Sequence, residues 1–388
     1  MRVLFINSVC GVGSTGRICT DLYDLFQENG HQCCIAYGRG DASEKYNSYK
    51  IGGRINNYIH VLETRLLDNH GFSSRRATKN FIKFIENYNP DIINIHNIHG
   101  YFLNIEILCE YLSRIKAKII WTLHDGWLFS GHAAHPKLDT NGEPIFKKGV
   151  QSQSREYPKS YVNREKRNYY KKKTAVLKIP TIQFITPSNW LSETAKMTYL
   201  KKYSFKVINN GIDLNSFYPD DPSKMPKKKI ILGVSSFWNE SKGLHIFNEL
   251  ANLLDLDQYE IMLVGNIKEK VNKKIKIIDK TDSVDELRKI YSSATYFVNP
   301  TFNDTFPTVN IEALACGTPV ITFKTGGSPE SITSKTGLVI DEKNAEYLSD
   351  IIASSPCFKS SDCVQQAKTY ERKDKYKEYL SFFNKNYW

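Results

Sequence analysis

The chain has 388 residues, 41% of them hydrophobic and 24% charged, a composition that excludes a disordered or fibrous protein and a length that one hydrophobic core seldom organises, so two domains of about 150 to 200 residues are expected. The first apolar run, Val3 to Ile6, is only strand-length, and nothing approaches the roughly 20 apolar residues that span a bilayer; neither a signal peptide nor a transmembrane helix is expected. The formal charge is +12, which raises the question of an anionic partner.

In chain order, RVLFINS reads as a buried strand, CGVGSTGR as a glycine-rich turn, and Ile18 to Gln27 as a helix closed by Gly30. HQCCIAYG is the next strand. Helical segments at Asn80 to Asn87 and Ile105 to Ile115 precede the strand-length runs DIINIHN and KIIWTLHD, an alternation that implies parallel strands with right-handed crossovers. From about Gly126 to Lys178 the pattern dissolves into polar sequence that looks inserted or mobile, with eleven Lys/Arg against two Asp/Glu between Lys147 and Lys178. Residues 147–178 could meet an anionic membrane surface or a phosphorylated substrate, or could be a solvated helix. No nucleic-acid motif accompanies the charge, so no nucleic-acid partner is expected.

PTIQFITPSNWLSETA resumes as strand, turn and helix with Ser188 as N-cap, and Val207 to Tyr218 has the texture of a domain connector. KKIILGVSS, LHIFNELANLL, EIMLVGN, SVDELRKIYSSA, TYFVNPT, TVNIEALACG and PVITF then alternate strand and helix into a second parallel sheet. Cys363 to Trp388 reads as an amphipathic helix or helix pair with Tyr370, Tyr376, Tyr379, Leu380 and Phe383 for a buried face. The eight cysteines show no CxxC pair and read as reduced core thiols of a cytoplasmic protein.

Two segments carry chemistry. GVGSTGR gives the spacing Gly11, Gly13, Gly16, but no acidic residue ends the following strand, which argues against a dinucleotide site. Its glycines still let backbone N–H groups near Gly13 and Ser14 approach an anion or a hydroxyl-rich ligand, unless the turn is purely structural. NDTFPTVNIEALACG places Asp304 ahead of a helix and Glu312 within it, with Pro307 suited to the first helical turn and Gly317 to the C′ position. Two such carboxylates can accept hydrogen bonds from vicinal diols, and the N–H groups of Thr305 and Phe306 can meet a phosphate or sugar; alternatively Asp304 only caps the helix. His96, His99, His124, His132 and His135 cluster in sequence without HExxH, so no metal site is expected. His124 and Asp125 end a strand, where ligands gather in parallel sheets, or else hydrogen-bond neighbouring loops.

The order GVGSTGR, HNIHGYFLN, TLHDGW, ITPSNWL, NNGIDLNSFYP, Lys242-Gly243, NDTFPTVNIEALACGTPVI and TGGSPE resembles the retaining glycosyltransferases of the GT-B fold, family 4 (group 1), of the kind that builds bacterial surface polysaccharides such as colanic acid. The resemblance implies two Rossmann-like, doubly wound α/β domains facing a cleft: an acceptor domain, 1–205, with the C-terminal helix 370–388 packing back onto it, and a nucleotide-sugar donor domain, 206–369. It implies that Glu312 binds the donor ribose, that Asp304 with the amides of Thr305 and Phe306 holds the sugar, and that Lys242 neutralises the diphosphate. Gly13 and Ser14 would also face the donor, His124 would contact the transferred sugar, and His99 and Arg17 would serve the acceptor. No metal or cofactor is expected beyond the nucleoside diphosphate sugar as co-substrate. The acceptor would be a saccharide or lipid-linked, reached by a cytoplasmic enzyme on the inner membrane face through residues 147–178. A nucleotide-sugar epimerase, a phosphorylase or a non-catalytic sugar-nucleotide-binding protein are the alternatives. Two departures stand out: Asp304 where the family usually has Glu, and Phe237 five residues before Lys242 where an Arg is common, leaving Arg17 or Arg288 to supply the missing contact.

Overall fold

The computed structural model describes residues 1–146, 157–221 and 226–387. The Val3–Ile6 run forms the middle of β1 (Arg2–Val9), followed by α1 (Gly13–Glu28), β2 (Gln32–Arg39), β3 (Ser48–Lys50), α2 (Arg54–Leu67), α3 (Arg75–Tyr88), β4 (Ile92–Ile95), α4 (Ile105–Leu112), β5 (Lys118–Thr122), α5 (Glu165–Leu177), β6 (Gln183–Thr186), α6 (Asn189–Lys196) and β7 (Ser204–Val207). These strands make one sheet in the order β3-β2-β1-β4-β5-β6-β7, every neighbouring pair parallel. Alternation along β1 sends Leu4 and Ile6 to one face, against α3 and α4, and Val3 and Phe5 to the other, against α1. Ser188 caps α6 as its position suggests, its hydroxyl accepting from the Leu191 N–H at 3.2 Å.

A second sheet follows: β8 (Lys229–Trp238), α7 (Leu244–Leu253), β9 (Tyr259–Ile267), β10 (Lys276–Ile278), α8 (Val284–Ser293), β11 (Tyr296–Asn299), α9 (Thr308–Ala315), β12 (Val320–Phe323), β13 (Gly337–Ile340), α10 (Ala345–Ala353), α11 (Ser360–Lys368) and α12 (Arg372–Tyr387). Its order is β10-β9-β8-β11-β12-β13, again all parallel. The chain divides into a unit of Met1–Ile208 with Tyr376–Trp388, and a unit of Asn209–Lys375. In the first, Tyr376, Tyr379 and Phe383 of α12 are buried with Phe26 of α1, the Phe26 and Phe383 rings 4.9 Å apart. Tyr370, expected on that same face, instead packs on Phe306 in the second unit, because it precedes α12 in the turn after α11.

Three expectations change. The stretch from Gly126 to Lys178 is not structureless: α5 lies within it. Its charge hides an inward face of Tyr169, Lys172, Ala175 and Val176. In the expected basic surface of residues 147–178, 147–156 fall outside the described residues, Lys171, Lys173 and Lys178 are ion-paired with Glu106, Glu143 and Glu110, Lys172 is buried, and Lys159, Lys166 and Arg167 are exposed. Pro307 is the N-cap of α9 rather than a residue of its first turn; Asp304, three positions earlier, is therefore not the cap.

Candidate functional site

In both sheets the strand order turns at one point, between β1 and β4 in the first and between β8 and β11 in the second. The loops beyond the carboxyl ends of such strands are where open parallel sheets take ligands.

In the second unit those loops are Asn239–Gly243 and Pro300–Pro307. β8 ends in a short 3-10 turn, Glu240–Lys242, closed by Asn239, whose side-chain oxygen accepts from the Lys242 N–H at 3.1 Å. Gly243 has φ +78°, and a Cβ there would lie 2.4 Å from the Pro300 carbonyl oxygen, so only glycine lets the two loops touch. The Ser241 carbonyl accepts from the Phe302 N–H at 2.8 Å. With the loops so joined, Lys242 Nζ donates to Asp304 Oδ2 at 2.7 Å, the two side chains 34% and 17% exposed and so open to a ligand. Gly326 (φ +56°) closes over this pair from the TGGSPE segment: a Cβ would meet the Asp304 carbonyl oxygen at 1.9 Å, and the Gly327 N–H donates to that oxygen at 3.1 Å.

Buried polar groups fix α9 beneath. Asn310 Nδ2 donates to Ser328 Oγ at 3.1 Å, Asn310 Oδ1 accepts from Asn299 Nδ2 at 2.8 Å, and Thr322 and Ser328 hydroxyls lie 2.7 Å apart. Glu312 is half-buried, and Tyr291 donates its hydroxyl to Glu312 Oε2 at 2.8 Å. Burial, then the Glu312 charge, pushes the Tyr291 hydroxyl well up, keeping it a donor. Thr305 is half-buried and Phe306 buried in the turn between β11 and α9. An ammonium has three N–H donors, so Lys242 bonded to Asp304 keeps capacity for phosphate oxygens. Arg288 does not supply a further contact: it is buried, paired with Asp285 at 2.9 Å, and stacked on Tyr218 at 4.3 Å.

In the first unit the corresponding residues follow β1, β4 and β5. Gly13 and Ser14 open α1 and are exposed; Arg17 turns back, its Nε 3.3 Å from the Gly13 carbonyl. A Cβ on Gly100 would lie 2.6 Å from Ser8 Cβ, so glycine sets the His99 loop against the end of β1. His99 Nε2 sits 2.8 Å from Asp125 Oδ2. Burial alone would raise the Asp125 carboxyl, but His99 and the Trp127 N–H hold it down to about 2.

β4 and β5 are neighbours, and their ends bring His96 Nδ1 within 3.0 Å of His124 Nε2. Burial drives both rings to the neutral form, His124 down to about 4 and His96 well below its ordinary value. The tautomers then follow. Asn94 Nδ2 donates to Thr122 Oγ1 at 3.1 Å, which turns Asn94 Oδ1 to accept from His96 Nε2 at 2.7 Å. His96 Nδ1 must therefore accept, so His124 Nε2 carries the proton and His124 Nδ1 is the acceptor nitrogen. Asn94 and His96 thus set the state of His124. Sequence reasoning left Asn94 unmarked, since an Asn inside an apolar strand was its only signal; Tyr291, in an ordinary amphipathic helix, gave none. Among the described residues no three His, Cys, Asp or Glu side chains are grouped to hold a metal ion.

Comparison with known proteins meets this geometry along nearly the whole chain. The sequence model described as Glycosyltransferase Family 4 matches residues 15–216, and that described as Glycosyl transferases group 1 matches residues 228–354. WcaC of Escherichia coli K12, assigned by name to colanic acid biosynthesis as a glycosyl transferase, is 23% identical over 385 residues, covering 90% of this chain and 89% of its own. Among solved structures, sucrose-phosphate synthase of Thermosynechococcus elongatus superposes with a TM-score of 0.72 at 14% identity over 100% of this chain and 99% of its own. HepE of Anabaena, solved with UDP, gives 0.68 at 13% identity over 99% and 100%. These likenesses show the fold, the GT-B arrangement of two parallel-sheet α/β domains.

Proposed function

This chain belongs to glycosyltransferase family 4, and from that premise we propose that it moves a hexose-type sugar from a nucleoside diphosphate sugar to a saccharide or lipid-linked acceptor, with retained anomeric configuration, in surface-polysaccharide assembly. The observation that carries the reading is the Lys242–Asp304 pair at 2.7 Å, held where β8 and β11 part, with Glu312 fixed by Tyr291. HepE was solved with UDP and with UDP-glucose, and WcaC is assigned by name to colanic acid; both support the donor and pathway class.

Breaking the glycosidic bond leaves charge on the departing diphosphate. Lys242 would stabilise that charge, so its contribution grows in the transition state, and no metal ion is required for that role. Asp304, with Thr305 and Phe306, would hold sugar hydroxyls, and Glu312, oriented by Tyr291, would accept from the ribose diol. On the first unit, His124 Nδ1 would accept from a hydroxyl of the transferred sugar, Gly13 and Ser14 would face the donor, and His99 and Arg17 would serve the acceptor. In a retaining reaction of this kind the leaving phosphate oxygen takes the proton of the acceptor hydroxyl as the new bond forms on the face the phosphate vacates.

Calorimetry of UDP-, GDP- and ADP-sugars against the wild type and Glu312→Ala tests the donor site. One nucleotide series should bind the wild type, and the variant should bind it more weakly by roughly 1.5 to 3 kcal/mol, the worth of a charge-assisted hydrogen bond. Equal affinity in the two proteins would remove Glu312 from the site, and a product of inverted configuration would remove the retaining mechanism.

A further inference from the structure

Lys171, Lys172 and Lys173 stand in succession on α5 and have different surroundings. Lys171 and Lys173 are half-exposed and paired with Glu106 and Glu143, whereas Lys172 is fully buried. Among the described residues no carboxylate lies within ion-pair distance of it. Asp68 is taken by His132 at 2.7 Å and by the Arg164 N–H at 2.8 Å, and Asp125 by His99 and the Trp127 N–H. Burying an ammonium without a paired carboxylate is costly, and a methionine would fill the same place on α5 without that cost. What the charge does must lie in what it touches.

It touches one residue in two ways. Lys172 Nζ donates to the Trp127 carbonyl at 2.5 Å and lies 3.9 Å from the centre of the Trp127 ring, a cation–π contact that desolvation strengthens. Ser130 Oγ also donates to that carbonyl, at 3.1 Å, from within the same turn; Lys172 ties the turn to a separate helix. Gly71 closes on the indole, since a Cβ there would lie 2.7 Å from Trp127 Cζ2. Trp127 in turn holds the His99–Asp125 pair twice over. Its N–H donates to Asp125 Oδ1 at 2.9 Å, while Asp125 Oδ2 meets His99 Nε2 at 2.8 Å, and its ring lies 5.3 Å from the His99 ring. The ionised Asp125 carboxylate can only accept, so His99 Nε2 carries the hydrogen. His99, His124, Asp125 and Trp127 line one small cavity at the ends of β4 and β5.

We propose that Lys172 is a positioning residue for the acceptor side of the site: its ammonium clamps Trp127 by carbonyl and ring, and the clamped turn fixes Asp125 and, through it, the direction in which His99 faces a ligand. This rests on the reading of His99 as an acceptor group. Lys172 is buried and meets no sugar itself. Burial lowers its ammonium to about 7, with the Asp125, Asp68 and Glu165 charges holding it up, so it is charged at pH 6.

Nuclear magnetic resonance of the full chain labelled with 15N-histidine, at pH 6 and with no sugar present, tests it. The His99 Nε2–H signal, identified by its loss in His99→Gln, should exchange slowly with solvent in the wild type. In Lys172→Met it should exchange about tenfold faster, with the melting temperature no lower. Lys172→Gln, which keeps a donor and loses the charge, should fall between the two, and it decides if the methionine variant melts early. Lys171→Met, on the paired side of α5, should leave the signal as it is. A folded Lys172→Met or Lys172→Gln chain with wild-type exchange would overturn the proposal, as would a Lys171→Met chain that speeds exchange equally, since α5 would then act only by its packing. Failure of the acceptor reading shows elsewhere, as a His99→Gln chain that transfers sugar at the wild-type rate.

Discussion

The two switch-point sites occupy equivalent places in their sheets and solve opposite electrostatic problems. In the first, burial drives the His96 and His124 rings neutral, and Asn94, His96 and Thr122 spend their hydrogen bonds on one another to fix a single tautomer. Around Lys242 an ammonium and a carboxylate meet at a partly exposed surface, held by backbone turns that only glycine permits at 243 and 326. A neutral, oriented acceptor suits hydroxyl groups, and a preset cation suits a diphosphate. Parallel topology thus fixes where a site lies, and the side chains decide what kind of charge it can meet.

The sharpest way to break this comparison is to remove one member from each side. Lys242→Ala should lower kcat by about 100-fold or more with a much smaller change in KM, as for loss of a group that stabilises developing negative charge. His124→Ala removes one neutral acceptor and should cost only about tenfold, the worth of an uncharged hydrogen bond. Steady-state kinetics that found His124→Ala the more damaging would invert the assignment of charge to the second unit.

Acid sharpens it next. Eight of the nine histidines lie in the first unit, and burial lowers His124 to about 4 and His60 to about 3. Folded, these rings bind fewer protons than the unfolded chain once the pH drops below about 6.5, so the stability they contribute is present above that pH and lost as it falls toward 4. His124 alone accounts for about 2 kcal/mol at pH 5. Hydrogen exchange between pH 7 and 5 should show the first unit losing protection ahead of the second; equal loss in both would mean that the histidines are not neutral in the folded state.

The sequence made the two parallel sheets, the Ser188 cap and the Asp304–Glu312 segment legible because each has a local signature: apolar runs of strand length, a hydroxyl before a helix, a carboxylate pair at a strand-to-helix junction. It did not disclose α2, whose apolar residues face outward and whose buried residues are polar, so that its amphipathic pattern points away from the core. Lys172 was hidden for the related reason that a lysine run reads as solvated. In the structure its ammonium donates to the Trp127 carbonyl at 2.5 Å and burial lowers it to about 7. Partners from distant elements, Asn94 under His124 and Tyr291 under Glu312, are tertiary contacts without any local pattern.

Tyr291 offers the finest cut, because it separates position from charge within the second site. Its ring is buried among Phe217 and Phe297, and Tyr291→Phe keeps that packing while deleting the hydroxyl that donates to Glu312 Oε2. Glu312 would keep its charge and lose its orientation, so affinity for the nucleoside diphosphate should fall by about fivefold, near the 1 kcal/mol of a single hydrogen bond, with kcat at saturation unchanged. The same substitution in the Glu312→Ala background should then do nothing further, since the partner is already gone. Additive losses in that double-mutant cycle would show that Tyr291 meets the donor by itself, and the second site would then rest on one more direct contact than its charges alone suggest.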